Sequence, residues 1–248
     1  MADSAPDESP EPTPTDVPEG DPTSANREHG LHRRLSPVLW LTVLVVAVTP
    51  ALADGVLGRT TSVLLIGSTA LIALRRSGAR RVLLRASEAA LAAVMLITIL
   101  ARELGEAGDG LSTASMALLC ALLLVTPIVV VSRLGTRPRI TLDSLAGILA
   151  AYMQIGMFFA VAYRLVHQVS DEPFFAEQGF SSAMDFQFFS FVTLTTLGYG
   201  NLTPAGDLGQ QMAIFEALIG QVFLVTVVGL AIGNMGARTP RRAPASND

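Results

Sequence analysis

Residues 191–204 read FVTLTTLGYGNLTP, a stretch that places two glycines around a tyrosine between two long apolar segments. Half of the 248 residues are apolar and only 15% are charged, which is typical of a membrane protein. Backbone that is not helical is tolerated at bilayer depth only where protein buries it or where it lines a water-filled cavity. The stretch therefore predicts an aqueous pathway through an all-α membrane protein.

Six apolar segments predict six transmembrane helices. A spanning helix needs about 20 apolar residues, with a range of about 17–25, and the first two segments are at or below that limit. The segments cover residues 37–53, 60–74, 83–101, 112–132, 143–166 and 210–235.

The placement of arginine supports this number of helices. All 17 basic residues are arginines, and six spans put 14 of them on one side, leaving only Arg59, Arg102 and Arg164 on the other. Cytoplasmic loops carry the excess of basic residues. Both termini are therefore expected in the cytoplasm, with the chain in the cell membrane.

The first apolar segment has two interpretations. Residues 32–55, HRRLSPVLWLTVLVVAVTPALADG, have a basic flank, a short apolar core and an Ala-Leu-Ala end, as in a secretory signal with its cleavage site. Such a signal would begin well inside the chain, behind an acidic tail. We favour an uncleaved helix, with cleavage as the alternative.

Composition separates four regions of the chain. Residues 1–35 are acidic and rich in proline, so they are expected to form a disordered cytoplasmic tail. Residues 36–134 are predicted to form a four-helix transmembrane block. All 11 phenylalanines lie between residues 158 and 223, which marks residues 140–236 as a second domain. Residues 237–248 would be a short cytoplasmic tail.

A short helix is predicted before the irregular stretch. Residues 182–195, with Ser181 or Ser182 as the N-cap, would span about 21 Å at about 1.5 Å per residue. This length is less than the hydrocarbon core of about 30 Å. The helix is therefore expected to enter the membrane and stop there, as a re-entrant helix.

The glycines of the stretch suggest what the pathway carries. Gly198 and Gly200 can adopt positive φ without steric cost, and their alternation with L-residues allows successive carbonyl oxygens to point to one side. The carbonyl oxygens of residues 196–199 and the Thr196 hydroxyl would then form a ladder for a dehydrated cation. Removing water from an ion is costly, so rings of oxygens from four chains are expected to replace the hydration shell.

TTLGYG, behind a short aromatic helix and before an apolar helix, resembles the pore domain of bacterial tetrameric potassium channels. The resemblance covers residues 143–236 and implies a homotetramer of six-span subunits with one pore loop per chain. It implies passive conduction of K⁺ as the permeant ion, without a cofactor. The implied selectivity filter comprises Thr196, Leu197, Gly198, Tyr199 and Gly200, with K⁺ at the first four.

The resemblance also assigns residues that support the filter. Phe188 and Phe189 match the paired aromatic residues that brace it in the family. The predicted supporting residues are Phe188, Phe189, Thr195, Asn201 and Glu216, and the resemblance implies that Gly220 would be the gating hinge of the inner helix.

The chain departs from the family pattern at three positions. Leu197 stands in place of the commoner valine, Asn201 in place of an aspartate, and Val192 in place of a buried glutamate. The acidic pair that braces the filter in the family is therefore absent. Glu216 is a candidate replacement because an intramembrane carboxyl group suggests a function, although helix packing or a water-facing position accounts for it equally well.

The predicted fourth helix, residues 112–132, contains no basic residue. Each elementary charge that crosses the membrane field contributes about 2.3 kcal/mol per 100 mV, so a voltage-insensitive channel is expected. A non-selective cation channel and a subunit of a potassium transporter are the alternatives, and an enzyme is not expected.

Two further expectations concern polar side chains. A basic cluster is a candidate site for anionic lipid headgroups, although the positive-inside topology already accounts for it, and no nucleic-acid partner is expected. The cluster comprises Arg75, Arg76, Arg80, Arg81 and Arg85.

Gln154, in the fifth apolar segment, is expected to hydrogen-bond to another helix.

Overall fold

The computed structural model describes residues 36–52, 56–135, 142–177, 179 and 181–236. In these residues the chain forms α-helices and one short 3₁₀ helix, and an antiparallel bridge joins Phe175 to Pro204. The helices are α1 (Ser36–Leu52), α2 (Val56–Ser77), α3 (Arg81–Glu103), the 3₁₀ helix (Gly105–Gly108), α4 (Asp109–Gly135), α5 (Leu142–Val169), α6 (Ala183–Leu194) and α7 (Asp207–Gly236). The predicted tails, residues 1–35 and 237–248, lie outside the described residues.

Four helices in the described part of the chain are long and apolar enough to cross a membrane. They are Arg81–Glu103, Asp109–Ser132, Leu145–Val169 and Asp207–Val227. α1 coincides with the first predicted segment but has only 17 residues, and α2 begins with the partly polar sequence VLGRTTS. The helical membrane architecture is therefore supported, whereas the first two of the six predicted spans stay a prediction.

α5 packs against the preceding helices through two apolar clusters. The first contains Val38, Ala73, Val130, Ile148, Ala150 and Ala151. The second contains Val45, Ile66, Ala70, Val94, Leu119, Leu122, Leu123 and Met157. Both clusters cross the compositional boundary between residues 36–134 and 140–236, so these two predicted regions share a core in the described residues.

A third cluster, called the aromatic cluster below, positions α6. It contains Phe159, Tyr163, Phe174, Phe175, Phe186, Phe189 and Leu202. Phe174 and Phe175 meet edge to face with their ring centroids 5.0 Å apart, and Phe175 stacks on Phe186 at 5.1 Å. Such pairs contribute about 0.5–1.5 kcal/mol beyond the area that they bury. The phenylalanines of this half of the chain therefore hold α6 against α5 and the loop before it.

Candidate functional site

α6 begins where the sequence predicts because Ser182 caps it. The Ser182 hydroxyl accepts the N–H of Asp185 at 3.2 Å, and the Asp185 carboxylate accepts the N–H of Ser182 at 2.8 Å. These reciprocal bonds form a capping box, and the negative charge of Asp185 suits the positive end of the helix dipole. The predicted short helix is confirmed, with Ser182 as its cap, while its entry into a membrane stays a prediction.

α6 ends in a Schellman motif. The N–H of Leu197 donates to the carbonyl oxygen of Val192 at 2.9 Å, and the N–H of Thr196 donates to that of Thr193 at 2.9 Å. This motif needs a left-handed residue just beyond the helix, and Thr196 occupies that place with φ 56°. A left-handed residue other than glycine costs roughly 1–2 kcal/mol, and such strain clusters at functional sites.

Positive φ recurs at every second residue after this turn. Thr196 has φ 56°, Gly198 57° and Gly200 77°, whereas Leu197 and Tyr199 between them do not have positive φ. The backbone therefore alternates between left-handed and ordinary conformations, as the glycine pattern predicts. Binding of K⁺ by the carbonyl oxygens of these residues stays a prediction.

Large side chains of the stretch are exposed in the single chain. Leu197 is 58% exposed and Tyr199 66% exposed. The Tyr199 ring stacks on the Phe188 ring with a centroid distance of 6.0 Å and an interplanar angle of 6°. Phe189 turns the other way into the aromatic cluster, 5.1 Å from the Tyr163 ring. The two predicted braces therefore differ, because one contacts the stretch and the other anchors α6.

The C-terminal end of α6 is held by α5 and α7. The Tyr152 hydroxyl of α5 donates to the carbonyl oxygen of Leu194 at 3.0 Å, which satisfies one of the acceptors that a helix end leaves unpaired. Gly220 of α7 approaches the same oxygen so closely that a Cβ on it would lie 2.2 Å away. α7 is continuous through Gly220. Close packing therefore requires a glycine here, and the hinge role of Gly220 stays a prediction.

The bond from Tyr152 gives a direct test of this support. Tyr152→Phe leaves the buried Leu194 carbonyl without its partner, so we expect the free energy of unfolding to fall by about 1 kcal/mol. The measurement is thermal or denaturant unfolding of the purified protein in detergent. Tyr199→Phe is the matched control because the contact described for Tyr199 is ring stacking on Phe188, which a phenylalanine ring keeps. Equal stabilities of the two variants would contradict the assignment.

Glu216 is fully buried, with 0% of its surface exposed. Its Oε2 accepts the Tyr163 hydroxyl of α5 at 2.6 Å, and its Oε1 lies 2.5 Å from the Ser190 hydroxyl oxygen of α6. Burial in the described residues argues against the water-facing alternative. In the described residues, the hydrogen bonds of Glu216 reach Tyr163 and the body of α6 at Ser190, so the support that these bonds give to the stretch passes through the helix.

The other predicted supporting residues have local or exposed side chains. The Thr195 hydroxyl donates to the carbonyl oxygen of Phe191 in its own helix at 2.7 Å, and the Asn201 side chain is exposed. The side chains of all five arginines of the basic cluster are exposed as well. Arg75 forms an ion pair with Glu88 at 2.7 Å.

Glu177 ties the loop before α6 to the segment after the stretch, a role that the sequence did not predict. Its carboxylate accepts the N–H of Thr203 at 2.9 Å and the hydroxyl of Thr203 at 2.9 Å. The bond from the Thr203 N–H is the main reason that the pKa of Glu177 lies below its ordinary value. Backbone bonds from Ala176 to Thr203 and from Ala205 to Phe174, both 2.9 Å, complete the tie.

Sequence reasoning also missed polar residues that join α6 to its neighbours. The Gln187 amide donates to the carbonyl oxygen of Val46 in α1 at 2.7 Å, and Ser190, Tyr152 and Tyr163 make the contacts given above. The sequence contained an indication of these contacts. The chain has only three tyrosines, and the run FQFFSF, residues 186–191, interrupts phenylalanine with two polar residues. In the described part of the chain, no group of three His, Cys, Asp or Glu residues could hold a metal ion.

Comparison with known proteins covers the region that contains this site. A protein-family model described as an ion channel matches residues 147–235, from α5 through the stretch to α7. Protein LctB of Bacillus caldotenax is 31% identical over 103 residues, which cover 39% of this chain and 75% of that protein. No solved structure matches the chain.

Proposed function

Because the chain belongs to the ion-channel family that its residues 147–235 match, we propose that it conducts K⁺ selectively and passively through a pore built from four copies. Residues 140–236 form the pore domain of each copy, with α5 as outer helix, α6 as re-entrant pore helix and α7 as inner helix. Thr196–Gly200 form the selectivity filter. K⁺ is the permeant ion, and the protein is a channel and not an enzyme.

The observation that carries this proposal is the alternation of positive φ at Thr196, Gly198 and Gly200 directly after α6. Alternating handedness lets carbonyl oxygens of neighbouring residues face the same side, which a regular strand does not allow. The C-terminal end of α6 adds a partial negative charge beside these oxygens. Both features favour a cation, and carbonyl rings of this kind select K⁺ in known filters.

Exposed apolar surface supports assembly of several copies. Tyr199 and Leu197 are exposed beside the proposed filter, and α7 exposes many large apolar side chains. Those of α7 include Leu208, Ile214, Phe215, Leu218, Val222 and Val225. One chain supplies too few oxygens to replace a hydration shell, so the filter needs copies of itself. A homotetramer brings four stretches together around one axis.

The remaining helices suggest a channel that does not sense voltage. The span predicted at residues 112–132 has no basic residue, so the four-helix block carries no gating charge in that helix. We propose six spans with both termini in the bacterial cytoplasm. The exposed arginines of the basic cluster would then face anionic lipid of the inner leaflet.

The test is flux through purified protein in liposomes that hold a K⁺ gradient. We expect K⁺ flux to exceed Na⁺ flux by at least roughly tenfold, which corresponds to about 1.4 kcal/mol. In planar bilayers we expect the open probability to be independent of voltage. Equal K⁺ and Na⁺ flux would favour a non-selective cation channel, and absence of flux would favour a transporter subunit. Crosslinked species that stop at dimers would contradict the four-chain pore.

A further inference from the structure

A chain of hydrogen bonds runs through the buried carboxyl group of Glu216. At one end, the Tyr163 hydroxyl is 2.6 Å from Oε2. At the other, the Ser190 hydroxyl oxygen is 2.5 Å from Oε1 and 2.7 Å from the carbonyl oxygen of Gly156 in α5. These hydrogen bonds comprise three oxygen–oxygen contacts and link α5, α6 and α7. Glu216 is the residue that α7 contributes.

These three contacts need three protons. A carbonyl oxygen can only accept, and a serine or tyrosine hydroxyl carries a single proton. The Tyr163 proton serves the contact with Oε2, and the single Ser190 proton serves either the contact with Oε1 or the contact with Gly156 and cannot serve both. If Glu216 were ionised, one of these two Ser190 contacts would have no proton and would place oxygen lone pairs against each other. A protonated Oε1 that donates to Ser190 satisfies every contact.

The surroundings of Glu216 favour the neutral form on independent grounds. Its two hydrogen-bond partners are neutral hydroxyl groups, and a fully buried carboxylate without a cationic partner is costly. The titratable or charged groups with described side chains on the helices packed together here are Tyr152, Tyr163, Arg164, His167, Asp185 and Asp207. Of these, Tyr163 is the one that hydrogen-bonds to Glu216.

We propose that Glu216 is a protonated positioning residue whose carboxylic acid donates to Ser190 and locks α6 between α5 and α7. Ser190 lies one helical turn before Leu194, whose carbonyl is the last part of α6 before the proposed filter. The position of the filter thus depends on a proton that is buried behind it. The consequence for conduction rests on the proposed channel function, whereas the protonation itself does not.

The sign of the expected pH dependence follows from the proton count. Lowering the pH leaves the protonated acid unchanged, so the chain of bonds is retained. Raising the pH until Glu216 ionises removes the proton between Oε1 and Ser190 and introduces a buried charge. We therefore expect K⁺ flux to decline at alkaline pH. Glu216→Gln replaces the acid by an amide that can donate to Ser190 and accept from Tyr163, so this variant should conduct without the alkaline decline.

Infrared spectroscopy tests the protonation without any need for conduction. We expect purified protein at neutral pH to show the C=O stretch of a protonated carboxylic acid, and Glu216→Gln to lose it. Glu177→Gln is the matched control because its carboxylate accepts hydrogen bonds from the N–H and the hydroxyl of Thr203, as an ionised carboxylate does, so the band should remain. A spectrum at neutral pH that is unchanged by Glu216→Gln would overturn the proposal even if the protein conducts.

Flux measurements test the positioning role. We expect Glu216→Gln to keep flux near that of the unmodified protein, while Glu216→Ala and Ser190→Ala lower it by about tenfold or more, since buried partners lose their bonds. An alkaline decline that persists in Glu216→Gln would overturn the role of this proton. If the unmodified protein shows no flux, the proposed function fails, and the infrared result still decides the protonation of Glu216.

Discussion

Gly198→Ala is expected to abolish K⁺ flux through the reconstituted protein while leaving its fold intact. Gly198 has φ 57°, and a Cβ at this position would meet nothing within 4 Å in the chain. The effect is therefore one of backbone conformation and not of a clash. A left-handed alanine costs roughly 1–2 kcal/mol, and this cost applies in each chain of the proposed tetramer. Rotation to negative φ would turn carbonyl oxygens away from the ion, so we expect flux to fall by at least about a hundredfold.

Gly78→Ala is the matched control for this prediction. Gly78 has φ 77°, a Cβ there would also meet nothing within 4 Å, and it lies between α2 and α3, away from the stretch. The backbone cost is the same in kind, so stability should fall slightly while flux and selectivity persist. The measurement is K⁺ and Na⁺ flux in liposomes, together with thermal unfolding. Unchanged flux in Gly198→Ala, or an equal loss in both variants, would remove the filter assignment.

Gly220→Ala is expected to destabilise the protein and to disturb the end of α6. The new Cβ would lie 2.2 Å from the carbonyl oxygen of Leu194, and this atom belongs to backbone that is also bonded to Tyr152. Overpacking of this kind costs about 1–3 kcal/mol, occasionally more. Either α7 moves away from α6 or the Leu194 carbonyl rotates, and each change shifts the start of the proposed filter. We expect a lower melting temperature together with a loss of K⁺ flux.

Gly229→Ala is the control for Gly220→Ala, because it replaces a glycine of the same helix where no close contact would be affected. A Cβ at Gly229 would meet nothing within 4 Å, and alanine favours the helix over glycine by roughly 0.5–1 kcal/mol. This variant should therefore be at least as stable as the unmodified protein. If Gly220→Ala proved equally stable and altered only channel opening, the hinge assignment would replace the packing explanation.

Local features of the site could be predicted because their causes are close in sequence. The short helix follows from its apolar run and from Ser182, whose side chain bonds within the first turn. The alternating backbone follows from Gly198 and Gly200. The left-handed Thr196 could not be predicted, because threonine disfavours this conformation and only the Schellman motif with Val192 reveals it.

Contacts between distant residues could not be predicted from the sequence. For Glu216 the sequence left three interpretations open: a brace for the filter, helix packing and a water-facing position. Helical spacing shows which residues share a helix face, but it does not show which polar groups of other helices contact that face. The Glu216 partners Tyr163 and Ser190 come from two other helices.

The expectation for Gln154 was wrong in the described structure: the side chain is 1% exposed, and neither its amide nitrogen nor its oxygen has a hydrogen-bond partner. Residues 150, 151 and 157, which are three or four positions from Gln154 and so share its side of the helix, belong to apolar clusters.

The bond from Gln187 to Val46 bears on how the chain matures after synthesis. A signal peptidase that cut after the Ala-Leu-Ala end of the first apolar segment would release α1, and with it the acceptor of the Gln187 amide. Hydrocarbon offers no substitute acceptor, and the two clusters on α5 would lose Val38 and Val45. We therefore expect the first apolar segment to be retained in the mature protein, because its removal would take away a support of α6 and so of the proposed pore.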